Sequence, residues 1–282
     1  MAFYGDSGRD VFWIGPCLSS IQMSTAIVRI YTEEGFVIAA DGRQVREDGL
    51  PFNDGAQKIF PLCDERGSLA YAICGTTLMT SDDDTNEPVW DLAAEMAHAI
   101  KSLSGRKSKN LFGYATRLSR PINRHLKEAK QNGNIAKYPT ETDMIDHDGS
   151  MIAEALIDGY YNGVPSRVSI KLYHRSQQLA EPEVFRDSIP TGSYVIHGSK
   201  LISESFRNPA DRRFADYGQL AWTNSPVTLS EAIKVSEGYI RACSSPEAIQ
   251  MDAKCAGIGG HIHIATITPK DGFRWVPGYE PI

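Results

Sequence analysis

Two short runs of strand-forming residues near the start of the chain constrain its fold more than any other feature. Residues 25–31 and 35–41 are rich in Val, Ile and Ala, and a polar stretch at residues 32–34 separates them. Apolar runs on either side of a short polar turn favour an antiparallel hairpin. The sequence therefore predicts a β-hairpin whose second strand ends at Asp41.

Apolar periodicity along the rest of the chain predicts three helices and further strands. The helices are expected at residues 89–103, 109–131 and 228–243, with Pro121 as a kink or break in the second. The further strands are expected at residues 56–62, 68–74, 151–160, 168–174, 193–197 and 261–268. This order predicts an α+β fold, a four-layer αββα sandwich of two mainly antiparallel sheets between helix layers.

Composition limits the classes of function. With 282 residues, 41% of them hydrophobic, the chain is long enough for one large core. A formal net charge of -6 disfavours nucleic acid as a partner, since phosphate binding needs clustered Lys and Arg, and the basic stretch at residues 106–109 is short. No run approaches the roughly 18 apolar residues of a membrane span, so no membrane partner is expected.

Cysteine and histidine usage indicates the compartment and the absence of a cofactor. The five cysteines show no CxxC spacing, which favours a reducing compartment over a disulfide scaffold, and the first residues lack the form of a secretory signal. A cytoplasmic location is therefore expected. His261 and His263 alternate on one strand face but lack a third ligand at suitable spacing. Neither a metal nor an organic cofactor is implied.

Several segments resemble proteasome β-type subunits and the similar subunit of the bacterial two-component protease. They are residues 24–28, 35–43 and 57–60, followed by Cys74-Gly75-Thr76, His197-Gly198-Ser199 and Ile258-Gly259-Gly260, so the resemblance covers roughly residues 24–275. It implies the N-terminal-nucleophile hydrolase fold and a threonine-type peptidase that cleaves peptides or proteins. It also implies a homo-oligomeric ring and allows for an ATPase partner.

The resemblance implies catalytic roles for five residues. Thr25 takes the place of the N-terminal nucleophile, Asp41 that of the acid ending the second strand, and Lys58 that of the lysine on the third strand. A free N-terminal amine, with an unperturbed pKa of about 7.7 to 8.0, is a suitable base for its own hydroxyl. A lysine held by an aspartate would lower the pKa of that amine and favour the alkoxide. Gly198 and Ser199 lie at a turn whose backbone amides would bind the oxyanion.

Two departures from that family affect the expected site. Cys255 and Ile258 occupy positions where active members carry Asp and Ser, and Asp252 comes three residues too early to replace the Asp. Residues 1–24 must also be absent before Thr25 has a free amine. They are expected to be a removable leader. Alternatively, residues 1–22 are an extension upstream of a translation start at Met23, and removal of Met23 would expose Ser24 as another nucleophile. Residues 25–282 would then form the hydrolase domain.

Two other functions stay open from the sequence. One is a catalytically inactive ring or scaffold subunit, which the residues at positions 24, 255 and 258 favour. The other is an N-terminal-nucleophile amidase acting on small molecules, which predicts a monomer or dimer rather than a ring. The size of the native particle separates the amidase from the other two.

Overall fold

The predicted hairpin at the start of the described chain is confirmed. The computed structural model describes residues 25–45, 50–64, 67–80, 88–106, 108–132, 145–146, 149–175, 178–179, 181–186, 189–190, 192–218 and 228–282. Strand β1 is Ile27–Tyr31 and strand β2 is Phe36–Asp41, and Ile27 lies opposite Ala40 in an antiparallel register. The leader proposed for residues 1–24, including Ser24, lies outside the described residues.

The remaining elements follow in chain order. The strands are β3 Gln44–Val45, β4 Pro51–Asn53, β5 Ile59–Asp64, β6 Gly67–Gly75, β7 Leu78–Thr80, β8 Pro88–Asp91, β9 Ile145–Asp146, β10 Gly149–Tyr161, β11 Val164–Arg175, β12 Gln178–Leu179, β13 Glu183–Arg186, β14 Tyr194–His197, β15 Ile262–Thr268 and β16 Gly272–Trp275. The α-helices are α1 Leu92–Ser102, α2 Leu111–Gln131, α3 Lys200–Arg207, α4 Leu229–Cys243 and α5 Pro246–Met251.

Two antiparallel sheets contain most of the strands. The five-stranded sheet has the order β14-β1-β2-β15-β16, and the seven-stranded sheet follows the path β12-β11-β10-β6-β5, with β13 on β11 and β9 on β10. The long β10–β11 hairpin turns at Asn162-Gly163, where both residues have positive φ angles of 53° and 74°. A two-residue turn of this kind matches the twist of the paired strands, as the Asn-Gly sequence predicts.

The predicted fold class is wrong. The sequence predicted an α+β four-layer αββα sandwich, but antiparallel sheet dominates the described residues, which contain only five α-helices. Helices α3 and α5 have eight and six residues. A six-residue helix rises only about 9 Å, so it cannot form a layer comparable with a sheet.

Capping and packing explain where the predicted helices begin and end. Helix α1 begins at Leu92 rather than at residue 89, because residues 88–91 pair with β7 and the Asp91 carboxylate caps the Ala93 amide at 2.8 Å. Pro121 lies inside a continuous helix α2 and does not break it as predicted. The apolar face of α2 is buried on both sides of Pro121, and this packing offsets the lost hydrogen bond. No helix in the described part of the chain is long and apolar enough to cross a membrane.

The space between the two large sheets combines an apolar cluster with a buried ion network. Ile27 and Phe36 of the five-stranded sheet belong to one cluster with Ala72 and Leu156 of the seven-stranded sheet. Nearby, the Asp158 carboxylate pairs with Arg29 and Arg167, and all three side chains are buried. Burial alone would raise the pKa of Asp158, but the two guanidinium groups outweigh it and hold that pKa below its usual value.

Candidate active site

The structure brings together the three main residues that the sequence singled out. Thr25 directly precedes β1, Asp41 ends β2, and Lys58 directly precedes β5 of the other sheet. Lys58 therefore lies just before a strand rather than on it. Its Nζ is 2.9 Å from Asp41 Oδ1 and 3.5 Å from Thr25 Oγ1. The ammonium group is thus shared between a carboxylate and the candidate nucleophile.

The Asp41 carboxylate is fully buried and accepts four hydrogen bonds. Oδ1 accepts from Lys58 Nζ and from the Ala26 amide, each at 2.9 Å. Oδ2 accepts from the amides of Arg43 and Gly259, each at 3.2 Å. An ionised carboxylate only accepts, and a buried one needs such partners. The three backbone amides hold Asp41 in one orientation, and Asp41 in turn holds Lys58.

Gly198 lies against the backbone of the candidate nucleophile. Its φ angle is +135°, a region that L side chains rarely adopt. A Cβ atom built there would be 3.6 Å from both the Thr25 carbonyl oxygen and Ala26 Cα, and 3.3 Å from the Tyr239 hydroxyl oxygen. The turn therefore favours glycine, and any larger residue there would place its Cβ in van der Waals contact with the Thr25 backbone.

Ser199 contacts Asp252, the acid that lies three residues before the position expected from the family pattern. Its hydroxyl donates to Asp252 Oδ2 at 2.6 Å, and its Oγ accepts from the Ile202 amide at 3.3 Å as the N-cap of α3. Asp252 Oδ1 accepts from the Lys254 amide at 3.1 Å. Asp252 therefore supports the turn after β14, although it lies three residues before the position expected from the family pattern.

Cys255 and Ile258 are core residues. Both are buried in the apolar cluster that includes α4 and the outer face of β1. Burial, followed by the nearby Asp252 carboxylate, raises the pKa of the Cys255 thiol to about 11. A thiol that stays neutral at ordinary pH is a poor nucleophile and a poor base. Cys255 therefore cannot support the Thr25 amine as the Asp of the family pattern would.

His263 lies on strand β15, which pairs with β2 beside Asp41, and His261 directly precedes that strand. His263 is fully buried, and neither of its ring nitrogens has a hydrogen-bond partner among the described residues. Its ring centroid is 5.0 Å from that of His261. Burial first, then the neighbouring His261 and Lys58, lower the pKa of His263 to about 4. His263 is therefore neutral near pH 7 and adds no charge beside Lys58.

Comparison with known proteins finds remote structural similarity. No protein-family model and no curated protein matches the chain. An Anbu (Gly-1) mutant from Hyphomicrobium sp. strain MC1 has a TM-score of 0.48 and 14% identity. The match covers 89% of this chain and 84% of the mutant's chain. The helical assembly of the Anbu complex from Pseudomonas aeruginosa has a TM-score of 0.49 and 13% identity. The match covers 89% of this chain and 86% of the Anbu chain. With such values, the chemistry must be argued from this chain's own residues.

The predicted membership of the proteasome β-type subunits or their bacterial relatives is wrong as stated. No protein-family model matches the chain, and the two similar solved structures described above are Anbu proteins rather than proteasome β-type subunits. The segments behind the prediction are short strands and glycine turns, such as residues 35–43 and 258–260. Patterns of this kind follow from hairpin formation itself, so they do not identify a family.

Proposed function

We propose that this chain is an amide hydrolase whose nucleophile is the Thr25 hydroxyl and whose general base is the Thr25 amine. The observation that carries the proposal is the 3.5 Å approach of Lys58 Nζ to Thr25 Oγ1, with Lys58 paired to Asp41. A buried ammonium beside a hydroxyl favours the form in which the oxygen gains negative charge. A lysine with only a structural role would need the Asp41 carboxylate but not the additional contact with Thr25 Oγ1.

The reaction proceeds through an ester of Thr25. Oγ1 bonds to the substrate carbonyl carbon while its proton passes to the amine. The intermediate then breaks its C–N bond, and the proton moves from the amine to the leaving nitrogen. Water then gives a proton to the same amine as its oxygen bonds to the ester carbon. The bond from that carbon to Oγ1 breaks, and the proton returns from the amine to Oγ1, which frees Thr25. Lys58 stabilises the negative charge on Oγ1, and Asp41 positions Lys58.

Backbone amides at the Gly198 turn are the proposed donors to the oxyanion. The position of the Gly198 turn, where an added Cβ would contact the Thr25 carbonyl oxygen, supports this assignment, because the substrate carbonyl must lie beside Thr25. Ser199 and its partner Asp252 position that turn. Fixed donors aimed at a developing charge lower the barrier more than donors that must reorganise.

The proposal requires Thr25 to be the first residue of the active protein. The hydrolase domain is accordingly residues 25–282, produced by removal of residues 1–24. Peptide or protein substrates, homo-oligomeric assembly, an ATPase partner and a cytoplasmic location stay predictions from the sequence. Peptides are the proposed substrates because the chemistry is that of amide cleavage.

A turnover assay tests the proposal. The chain would be released from a cleavable fusion so that it begins at Thr25, and then assayed against fluorogenic peptide amides and small amides. We expect hydrolysis by this protein, loss of it in Thr25→Ala, and partial retention in Thr25→Ser, which keeps a hydroxyl. Equal turnover by Thr25→Ala, or no turnover by any folded form, would contradict the proposal.

A further inference from the structure

A second group of reactive side chains lies between the two large sheets. Cys74 on β6 and Glu154 on β10 are direct cross-strand partners in the seven-stranded sheet, and both are buried. His197 ends β14 and lies opposite Ile27 of β1 in the five-stranded sheet. Cross-strand partners point to the same face, so these side chains meet across the space between the sheets.

The distances between the three side chains are somewhat longer than those between the ligands of an occupied zinc site. Glu154 Oε2 is 4.0 Å from Cys74 Sγ and 3.7 Å from His197 Nδ1. The three candidate ligand atoms all lie within 4.8 Å of one another. Around a tetrahedral Zn²⁺ with bonds of 2.0–2.3 Å, neighbouring ligand atoms are about 3.3–3.8 Å apart. A contraction of about 1 Å or less would close the shell.

The chemistry of the three groups also suits zinc. A thiolate, a carboxylate and an imidazole are the three ligand types that Zn²⁺ takes in proteins. A deprotonated Cys74 and Glu154 together supply two negative charges to match a divalent ion. Among the described residues, this is the one group of three with metal-binding geometry.

We propose that Cys74, Glu154 and His197 bind one Zn²⁺ ion that joins the two sheets beside Thr25. Three protein ligands leave one tetrahedral position for water or another exchangeable ligand. The ion would link β6 and β10 of one sheet to β14 of the other, just before the Gly198 turn. The site does not depend on the proposed hydrolase chemistry, because none of its three ligands takes part in that reaction.

Cobalt absorption tests the site directly. The full-length protein would be stripped with a chelator, dialysed and titrated with Co²⁺, whose tetrahedral thiolate complexes absorb through a sulfur-to-metal charge-transfer band. We expect one Co²⁺ per chain, a charge-transfer band, and displacement of Co²⁺ by one equivalent of Zn²⁺. The absence of the band in the folded protein would overturn the proposal.

Matched variants assign the ligands. Cys74→Ala should abolish the charge-transfer band, whereas Cys243→Ala, which removes another buried thiol outside the group, should leave it unchanged. Glu154→Gln should weaken binding by more than the 10- to 100-fold typical of losing an outer-shell partner. A band that persists in folded Cys74→Ala would contradict the assignment. If that variant does not fold, the Tm of the unmodified protein is measured with and without Zn²⁺. Zn²⁺ should raise this Tm, and an unchanged Tm would overturn the proposed site.

Discussion

Lys58 and Asp41 form a buried ion pair of 2.9 Å that links the two sheets. The Lys58 side chain is 7% exposed and the Asp41 side chain is fully buried. Lys58 precedes a strand of the seven-stranded sheet, whereas Asp41 ends a strand of the five-stranded sheet. The pair therefore positions the ammonium group beside Thr25 and also depends on how the sheets pack.

Removing the Asp41 charge should damage both stability and activity. Asp41→Asn leaves the Lys58 ammonium buried without its partner, and breaking a buried pair lowers the free energy of unfolding by about 3–5 kcal/mol. Urea unfolding measures the loss. Asp271→Asn, which breaks the exposed Asp271–Arg274 pair, serves as the control and should change stability by about 1 kcal/mol or less. Similar effects of the two substitutions would contradict the structural role of Asp41.

Replacing Lys58 should lower kcat more than it raises KM. Lys58→Met keeps much of the side-chain volume but removes the charge beside Thr25 Oγ1, and a loss of about 10²–10³-fold in kcat is expected. Lys200→Met is the control, because Lys200 is 88% exposed and lies on α3. Steady-state kinetics on a peptide amide give both constants. A folded Lys58→Met protein with unchanged kcat would remove Lys58 from the mechanism.

Ser199 and Asp252 should be energetically coupled. Ser199→Ala removes the N-cap of α3 and should lower the free energy of unfolding by about 0.5–2 kcal/mol. Because its hydroxyl also donates to Asp252 at 2.6 Å, a double-mutant cycle with Asp252→Asn should give a coupling energy of about 0.5–3 kcal/mol. Additive effects of the two substitutions would show that the contact contributes nothing to stability.

Acid should destabilise the fold through His263. Its pKa is lowered to about 4 by burial and by His261 and Lys58, so between about pH 6.5 and pH 4 the unfolded chain binds a proton that the folded chain does not. The free energy of unfolding then falls as pH falls, by up to about 1.4 kcal/mol per pH unit from this residue.

Urea unfolding across this pH window checks the contribution of His263. His263→Leu should make the dependence of stability on pH less steep, because the buried titrating group is gone. His98→Gln, at an exposed position on α1, should leave the dependence as it is. An unchanged slope in His263→Leu would place the acid sensitivity elsewhere.

The sequence predicted the site to the extent that local strand pairing determines it. In the antiparallel hairpin the Asp41 amide donates to the Ala26 carbonyl oxygen, so the end of β2 lies beside Thr25. Residue spacing alone predicts that relationship. Lys58 comes from the other sheet, and its place depended on a family resemblance, because packing between sheets leaves no local signal.

The contacts that sequence analysis missed all join distant parts of the chain. Asp252 lies three residues before the position at which the family pattern places an acid, yet the loop after α5 brings it to Ser199. Helices α3 and α5 span about two turns each, which is too short for a clear helical period. Cys74, Glu154 and His197 come from three strands, and their meeting requires knowledge of which strands pair.

The most direct test of the account is the identity of the residue that reacts with an electrophile. The protein expressed from Met1 would be treated with a peptide β-lactone, and its intact mass, amino-terminal sequence and modified peptide would then be determined by mass spectrometry. The account predicts a chain that begins at Thr25 and carries one acyl group on the Thr25 hydroxyl, absent in Thr25→Ala. A chain that hydrolyses peptides while retaining residues before Thr25, or an acyl group on another residue, would contradict it.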